Sequence, residues 1–200
     1  MKNVNPFDPG YYQESELREM GFKSVGDNVR IQKNCTILGV ENIQIGNNVR
    51  IDAFCTLSAS GTGWIELGSY IHIAPYCFLS AGDGIYIDDF SSVSSGSAIY
   101  SRNDDYSGNR MTNPTVSDKY TGVTHATVKL EKHVIVGSGC VILPGVTIGE
   151  GSSIGALSLV NKSLESWNIY AGTPAKKIRE RSKRLLELEN ELKKDSDLKY

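Results

Sequence analysis

The sequence predicts a mainly β fold, a solenoid of triangular coils, and two observations lead to this prediction. An aliphatic residue recurs at every sixth position, most clearly as Leu130, Val136, Ile142, Ile148, Ile154 and Val160. A six-residue repeat has room only for a short strand and a tight turn. The earlier hexads form triplets separated by steps of eight or ten residues. Three hexads therefore make one coil, and about six coils are expected.

The recurring aliphatic residues are predicted to form the core of the solenoid. Each should point inward and stack on its counterpart in the next coil, at the roughly 4.8 Å spacing of paired strands. The first four coils place inward residues at Val25, Ile31, Ile37, Ile45, Ile51, Leu57, Leu67, Ile73, Leu79, Ile87, Val93 and Ile99. The core should therefore be a column of Ile, Leu and Val side chains.

A second inward position follows four residues after each aliphatic residue, at a corner where only a small side chain fits. In the middle hexad of each coil this position holds Cys35, Cys55, Cys77, Ser97, Cys140 and Ser158. All four cysteines of the chain thus fall at one corner. No CxxC pair is present, and residues one strand apart are poorly placed for a disulfide. We expect structural thiols, with neither a metal site nor disulfides.

The composition excludes several classes of protein. A net charge of -2 and an isoelectric point near 5.9 offer no basic field for a nucleic acid. No stretch reaches the roughly 20 apolar residues of a membrane-spanning helix. The first residues, MKNVNPFDPG, lack the basic and apolar regions of a secretory signal. A cytoplasmic protein without a nucleic-acid partner or a membrane span is expected.

Three regions are predicted along the chain. Residues 1–24 form a cap over the first coil, with Ser15 as helix N-cap, a short helix from Glu16 to Met20, and Gly21 as its end. Residues 25–170 form the solenoid, interrupted after the fourth coil by a polar loop at 100–129. Residues 171–200 form a C-terminal helix after Pro174, with Ile178, Leu185, Leu188 and Leu192 on one apolar stripe.

The repeats resemble those of the hexapeptide-repeat acyltransferases. The similarity runs from about Val25 to Arg179 and is densest in VIVGSGCVILPGVTIGEGSSIGALSLVNKSL, which is followed by IYAGTPAKKIRER. This resemblance implies a left-handed parallel β-helix, whose handedness the period alone does not reveal. It also implies an enzyme that uses acetyl-CoA as co-substrate without a metal, and that assembles as a homotrimer.

Acyl transfer needs a group that removes a proton from the attacking atom, and histidine suits this task. His72 lies in IHIAPY, which is similar to a motif of sugar-modifying members of the family. His125 lies where the long loop returns to the coils. We therefore take His72 and His125 as candidate catalytic residues. His133 is a weaker candidate, because the family often has a plain polar residue at that turn.

The long loop is the predicted acceptor site, because it carries several polar side chains close together. Asn103, Asp104, Asp105 and Tyr106 are the candidate substrate-binding residues. In the resembling family such a loop reaches toward a neighbouring subunit. Galactoside-acetyltransferase-like enzymes carry a histidine-proline pair there, whereas this loop reads SRNDDYSG. Another histidine, one of the aspartates, or an amine acceptor that needs little assistance could account for this departure.

The resemblance also places coenzyme A near the C-terminal coils. The matching positions are Gly137, Ser138, Ala156, Lys162, Lys176 and Arg179. Small residues would let the pantetheine arm lie against the backbone, and the basic side chains would meet phosphate.

These features predict an acetyltransferase that moves an acetyl group from acetyl-CoA to a hydroxyl or amine of a sugar. Nucleotide sugars and precursors of polysaccharides, including lipopolysaccharide, are the acceptors that the resemblance implies. One alternative is a zinc lyase of the γ-class carbonic anhydrase type, which would use the three histidines as ligands. The other is a non-catalytic β-helix scaffold, which would not require the long polar loop.

Overall fold

The computed structural model describes residues 7–195, and its central part is the predicted left-handed parallel β-helix. Six complete coils are followed by the start of a seventh, and each coil contributes one strand to each of three parallel sheets.

The three sheets form the faces of a triangular prism. Sheet 1 contains β1 (Ser24–Val25), β4 (Ile43–Ile45), β7 (Ile65–Leu67), β10 (Ile85–Ile87), β15 (Val128–Leu130) and β18 (Thr147–Ile148). Sheet 2 contains β2 (Arg30–Ile31), β5 (Arg50–Ile51), β8 (His72–Ile73), β11 (Ser92–Val93), β16 (Ile135–Val136), β19 (Ser153–Ile154), β21 (Asn168–Ala171) and β22 (Lys176–Glu180). Sheet 3 contains β3 (Thr36–Leu38), β6 (Thr56–Ser58), β9 (Phe78–Ser80), β12 (Ala98–Tyr100), β17 (Val141–Ile142) and β20 (Leu159–Val160).

The register confirms the predicted stacking of aliphatic residues. Ile45 of β4 lies opposite Leu67 of β7, which lies opposite Ile87 of β10, and all three side chains are buried. Equivalent residues of the other strands form one continuous core. We name the corners by the sheets they join: corner 1 joins sheets 1 and 2, corner 2 joins sheets 2 and 3, and corner 3 joins sheets 3 and 1.

All four cysteines lie at corner 2, as predicted, and all four thiols are free. Cys55, Cys77 and Cys140 are buried, and Cys35 is partly buried. Each thiol donates to a backbone carbonyl of the next coil; for example, the Cys55 Sγ lies 3.1 Å from the Ala74 oxygen. Ser97 does the same, with its hydroxyl 3.0 Å from the Gly137 oxygen, whereas the Ser158 hydroxyl donates to the Gly155 oxygen of its own coil at 2.7 Å. The corner is therefore built from small hydrogen-bonding side chains that join successive coils.

The N-terminal helix is present, although it starts earlier than the sequence predicted. Helix α1 spans Glu14–Glu19, and its N-cap is Gln13 rather than Ser15. The Gln13 N–H donates to the Glu16 carboxylate at 2.5 Å, which satisfies one of the free donors at the helix start. Leu17 is fully buried and anchors the helix to the core. The predicted cap at residues 1–24 begins with six residues that lie outside the described residues.

The C-terminal region differs from the predicted helix. Within the described part of this region, Lys176–Glu180 is the strand β22, which runs antiparallel to β21, and helix α2 spans Leu185–Lys194. Residues 196–200 of the predicted helix lie outside the described residues. The physical reason is that β21 ends sheet 2 and offers a free row of backbone groups, which β22 pairs. The predicted apolar stripe is also wrong, because Ile178 is on a strand and Leu188 is half-exposed. The buried residue of α2 is Glu189.

The remaining elements belong to the surface. A 3₁₀ turn spans Val40–Asn42, and the predicted loop leaves the prism at corner 3 after β12. No helix among residues 7–195 has the length and apolar character needed to cross a membrane.

Candidate active site

The long loop is closed at its base by a pair of short antiparallel strands. These are β13 (Arg102–Asn103) and β14 (Thr124–His125), in which Arg102 lies opposite His125. The pairing brings the two ends of the loop together at corner 3. It also sets the His125 and Arg102 side chains beside the turn between β9 and β10, which contains Asp83.

Asp83 holds both of these side chains. Its Oδ2 atom lies 2.9 Å from His125 Nδ1 and 2.5 Å from Arg102 Nε. Its own backbone is fixed by the Ser101 hydroxyl and the Thr127 hydroxyl, both at 2.8 Å. Burial alone would raise the pKa of Asp83, but hydrogen bonds from Arg102 and His125 hold that pKa below its usual value. The charged Asp83 carboxylate can only accept a hydrogen bond, so His125 Nδ1 carries the hydrogen that is donated to it, and Nε2 is the nitrogen left free to accept a proton.

A cleft of about 720 Å³ opens beside this pair, and His125, Arg102 and Ser80 line it. The loop supplies the opposite wall, which includes Asp104 and Asp118. A cleft of this size has room for a sugar and the reacting end of a thioester. It therefore combines a histidine oriented by a carboxylate with polar groups contributed by the loop.

The four loop residues predicted to bind substrate have different environments. Asp104 lines the cleft, and Asn103 lies on β13 opposite Thr124. The Asp105 carboxylate accepts hydrogen bonds from Ser107 and from the Arg110 N–H, so it shapes the loop. The hydrogen bond from the Ser107 hydroxyl contributes most to lowering the Asp105 pKa. Tyr106 is almost fully exposed. Among these four, the structure places Asp104 in the cleft wall.

His72 is far from this cleft in the same chain, because it points outward from β8 on sheet 2. Its Nε2 lies 2.7 Å from Asp52 Oδ2, and Arg50 binds the same carboxylate through Nε at 2.6 Å and Nη2 at 3.0 Å. The Tyr11 hydroxyl donates to Asp52 Oδ1 at 3.2 Å. Burial opposes the charge on Asp52, and hydrogen bonds from Arg50 and His72 nevertheless lower its pKa. The two candidate catalytic histidines therefore do not converge within one chain.

His133 makes contacts that hold the fold together. It is buried at corner 1, where its Nε2 lies 2.6 Å from the Glu189 carboxylate of α2. Its ring also stacks on Phe90 at a centroid distance of 5.2 Å. These contacts attach α2 to the prism, so His133 is not available to a substrate.

The residues predicted to bind coenzyme A fall into two neighbouring groups. Gly137, Ser138 and Ala156 lie at corner 2 of the fifth and sixth coils. A Cβ atom on Gly137 would lie 2.6 Å from the Ala156 backbone nitrogen, so stacking of the coils already requires this glycine. Lys162 and Lys176 line a second cleft of about 280 Å³. Arg179 is exposed on β22 opposite Ile169, and it is not part of that cleft.

The sequence did not reveal the two aspartates that orient His72 and His125. Asp52 directly follows the inward Ile51, where the following coils hold Ala74, Ser94, Gly137 and Gly155. A charged residue at a position where the later coils have small residues is a signal in the sequence that could have identified Asp52. Asp83 lies in a Gly-Asp-Gly turn, where an aspartate is ordinary, so its role depends on the fold of the loop above it.

Comparison with known proteins shows what the chain is similar to. The family model "Bacterial transferase hexapeptide (six repeats)" matches residues 127–162. The dTDP-4-amino-4,6-dideoxy-D-glucose acyltransferase of Escherichia coli is 50% identical over 183 residues, which are 92% of this chain and 95% of that protein. A probable macrolide acetyltransferase of Lysinibacillus sphaericus is 31% identical over 116 residues, which are 58% of this chain and 62% of that one.

Solved structures show the same similarity. AntD, an N-acyltransferase from Bacillus cereus, has been solved with dTDP and 3-hydroxybutyryl-CoA. It is 46% identical, superimposes with a TM-score of 0.89, and the match covers 92% of this chain and 97% of AntD. A galactoside acetyltransferase in complex with coenzyme A shares the fold at 24% identity and a TM-score of 0.54.

Proposed function

The chain belongs to the hexapeptide-repeat acyltransferases, and we propose that it transfers an acyl group from acyl-CoA to the amine of a dTDP-linked deoxyamino sugar. The observation that carries this proposal is the match to an Escherichia coli acyltransferase for dTDP-4-amino-4,6-dideoxy-D-glucose, which spans nearly the full length of both chains. The AntD structures support it, because that N-acyltransferase binds dTDP and an acyl-CoA together. An amine is therefore favoured over a hydroxyl as the acceptor, and acetyl-CoA remains the proposed donor.

The cleft at corner 3 supports a direct transfer mechanism. The neutral amine attacks the carbonyl carbon of the thioester, and His125 Nε2 accepts the proton that the nitrogen loses. The carbon–sulfur bond then breaks, the amide remains on the sugar, and the sulfur leaves as the coenzyme A thiol with that proton. Asp83 orients the ring and stabilises the imidazolium that forms in between. Asp104, which lines the cleft, would bind the acceptor.

The basic and small residues of the last coils are the proposed binding site for coenzyme A. Lys162 and Lys176 lie together in one cleft, where they would meet phosphate charge. Ser138 and Ala156 are exposed at the adjoining corner 2 and would border the pantetheine arm. Arg179 lies on β22 of sheet 2, outside the cleft that Lys162 and Lys176 line.

We also propose a homotrimer that works in the cytoplasm on a precursor of a surface polysaccharide such as lipopolysaccharide. An apolar ridge at corner 2 supports the assembly, because Phe54 and Tyr76 stack on each other and are more than half exposed. The zinc-lyase alternative has less support. The three histidines lie at three separate places, and the buried His133 is not available at a subunit interface.

The test is an assay for release of the coenzyme A thiol. Wild-type protein with acetyl-CoA and dTDP-4-amino-4,6-dideoxyglucose should release the thiol and form the acetamide, whereas dTDP-glucose, which has no amine, should give neither. In the His125→Ala variant we expect kcat to fall about 10²-fold or more, as for loss of a general base. Absence of thiol release with every short acyl-CoA would overturn the proposed function. Full kcat in His125→Ala would overturn only the assignment of the base.

A further inference from the structure

A groove of about 430 Å³ runs along sheet 2 beside corner 1, in the first four coils. Two columns of side chains border it. The corner column contains one residue from each coil, namely Asn28, Asn48, Tyr70 and Phe90. The strand column contains the residue two positions later in each coil, namely Arg30, Arg50, His72 and Ser92.

The corner column is an aromatic stack that stops halfway along the groove. Phe90 packs on His133 on one side and on Tyr70 on the other, where the rings are 4.6 Å apart and 6° from parallel. The next two corner positions hold Asn48 and Asn28, which are hydrogen-bonded to each other at 2.8 Å. An asparagine is too short to cover a phenol ring, and Tyr70 remains 41% exposed. The stack thus ends on an uncovered ring to which another flat ring could be added.

The strand column puts two arginines beside that uncovered ring. The Arg30 side chain is exposed and makes no hydrogen bond or ion pair with any residue in the range 7–195. Arg50 is held in place by the buried Asp52, yet its side chain is 55% exposed and its Nη1 is not used in that pair. A planar fork of donors is the group that binds phosphate oxygens in pairs. Arg50 is therefore held in position beside the ring, and Arg30 is an unpaired charge.

A flat ring and a pyrophosphate are the two parts that these columns would recognise, and a nucleoside diphosphate carries both. We infer that this groove binds the nucleoside diphosphate of the acceptor, with the base on Tyr70 and the phosphates at Arg30 and Arg50. The inference rests on the proposed function, in which the acceptor is a nucleotide sugar. The donor is assigned elsewhere, because Lys162 and Lys176 lie beyond the sixth coil whereas the groove ends at the fourth.

Within one chain the groove lies on sheet 2, whereas the cleft with His125 lies at the opposite corner 3. One chain alone therefore does not offer both to the same nucleotide sugar. In the proposed homotrimer, the sugar bound on one copy would enter the cleft formed by the loop of a neighbouring copy.

The experiment measures dTDP binding by calorimetry in the full-length protein. The Arg30→Gln variant removes the unpaired charge, and Tyr70→Asn removes the ring while keeping a residue that tolerates the left-handed backbone at φ 60°. We expect each to weaken dTDP binding about tenfold, in the range measured for loss of one stacking or phosphate contact. The KM for the nucleotide sugar should rise in parallel, and affinity for coenzyme A should match wild type. The control Arg184→Gln removes an exposed charge at the N-cap of α2 and should bind dTDP normally.

The outcomes separate this inference from the proposed function. If both variants bind dTDP as tightly as wild type while wild type transfers the acyl group, the groove is not the nucleotide site and the proposed function stands. If wild type binds dTDP and loses that binding in the variants but transfers no acyl group, the groove is the nucleotide site and the proposed function fails.

Discussion

Each of the three histidines has a carboxylate partner, and burial decides what each pair can do. His133 and Glu189 are both buried, so their contact serves the packing of α2. His72 and His125 are about half exposed, and their partners Asp52 and Asp83 are more buried than the rings they hold. A carboxylate that is more buried than the imidazole it orients is the arrangement of the Ser-His-Asp triad, in which histidine acts as the general base. His125 lines the cleft of about 720 Å³ that has room for a sugar and the reacting end of a thioester.

Replacement of Asp83 tests whether it positions His125. In Asp83→Asn the side chain keeps its size, but it no longer selects the His125 tautomer or stabilises the imidazolium. We expect kcat to fall about 10²-fold, with the KM for acetyl-CoA unchanged. Asp83→Glu should recover part of kcat, because it restores the charge. Steady-state kinetics and thermal unfolding of the three proteins would check this.

The matched control is Asp88→Asn, which removes a carboxylate from the same coil where no histidine is bound. It should keep the wild-type kcat. If Asp83→Asn loses stability and kcat together, or if Asp83→Glu recovers nothing, Asp83 has a structural role through Arg102 and does not position His125.

At the scale of elements, helix α2 is attached by one buried acid. Glu189 binds His133 at 2.6 Å and Lys132 at 2.5 Å, and it also pairs with Lys193 of its own helix. Arg181, just before the helix, donates to the backbone oxygens of His133 and Gly151 at 2.9 Å. The helix is thus docked mainly through polar contacts. This explains why an apolar stripe was a poor guide to its orientation.

Glu189 should make the stability of the protein depend on pH. Burial would raise its pKa, but hydrogen bonds from Lys132, Lys193 and His133 lower the pKa from 4.5 to about 2. Because the folded-state pKa is depressed, the stabilisation is complete above about pH 4.5 and is lost as the pH falls toward 2. We expect Glu189→Gln to lower the free energy of unfolding by about 1–3 kcal/mol at neutral pH. The difference from wild type should shrink below pH 4.5.

Urea unfolding of both proteins across this pH range provides the measurement. The control is Glu187→Gln, an exposed position on the same helix, which should change stability by less than about 0.5 kcal/mol. A gap between wild type and Glu189→Gln that stays constant from pH 7 to 3 would contradict the role assigned to the Glu189 charge.

The elements also show how far the sequence could predict this protein. The six-residue period was sufficient for the coils and the thiol corner, because each inward position contacts its own equivalent in the next coil. The period did not predict the structure of Lys176–Glu180, because pairing with the free edge of sheet 2 outweighed the helix propensity of this segment. Nor did the six-residue period predict the two pairs of an aspartate with a histidine. Asp52 and His72 lie one coil apart, and the loop that positions His125 above Asp83 has no period from which a register could be read.

At the scale of the whole molecule, the candidate binding and catalytic sites lie in different parts of the prism. The first four coils carry the groove on sheet 2, the interruption at corner 3 carries the histidine cleft, and the last coils carry the two lysines. The groove lies on sheet 2, whereas the histidine cleft and Lys162 both lie at corner 3, which is the corner opposite that sheet. In the proposed homotrimer, a neighbouring copy would bring the groove and the cleft together, so the surface that joins the copies would be part of the active site.

The ridge at corner 2 is the surface that we expect to join them. Phe54 and Tyr76 stack at 5.1 Å and are 54% and 63% exposed. Adjoining exposed apolar side chains on the surface of the prism indicate a protein contact. The double variant Phe54→Asp, Tyr76→Asp places two charges there, and aspartate tolerates the left-handed backbone of both positions. Sedimentation should then show the 21.9 kDa chain in place of a species of three times that mass.

Activity should fall with the assembly, because the groove and the cleft would no longer come from adjacent copies. The control Met20→Asp alters an exposed apolar residue at the end of α1, away from the ridge, and should remain a trimer with wild-type kcat. Circular dichroism separates dissociation from unfolding, since a folded monomer keeps the β-helix spectrum. A double variant that still sediments as a trimer would show that the copies meet elsewhere. One that is monomeric yet fully active would show that a single chain completes the site, and both the shared cleft and the arrangement inferred for the nucleotide would then be wrong.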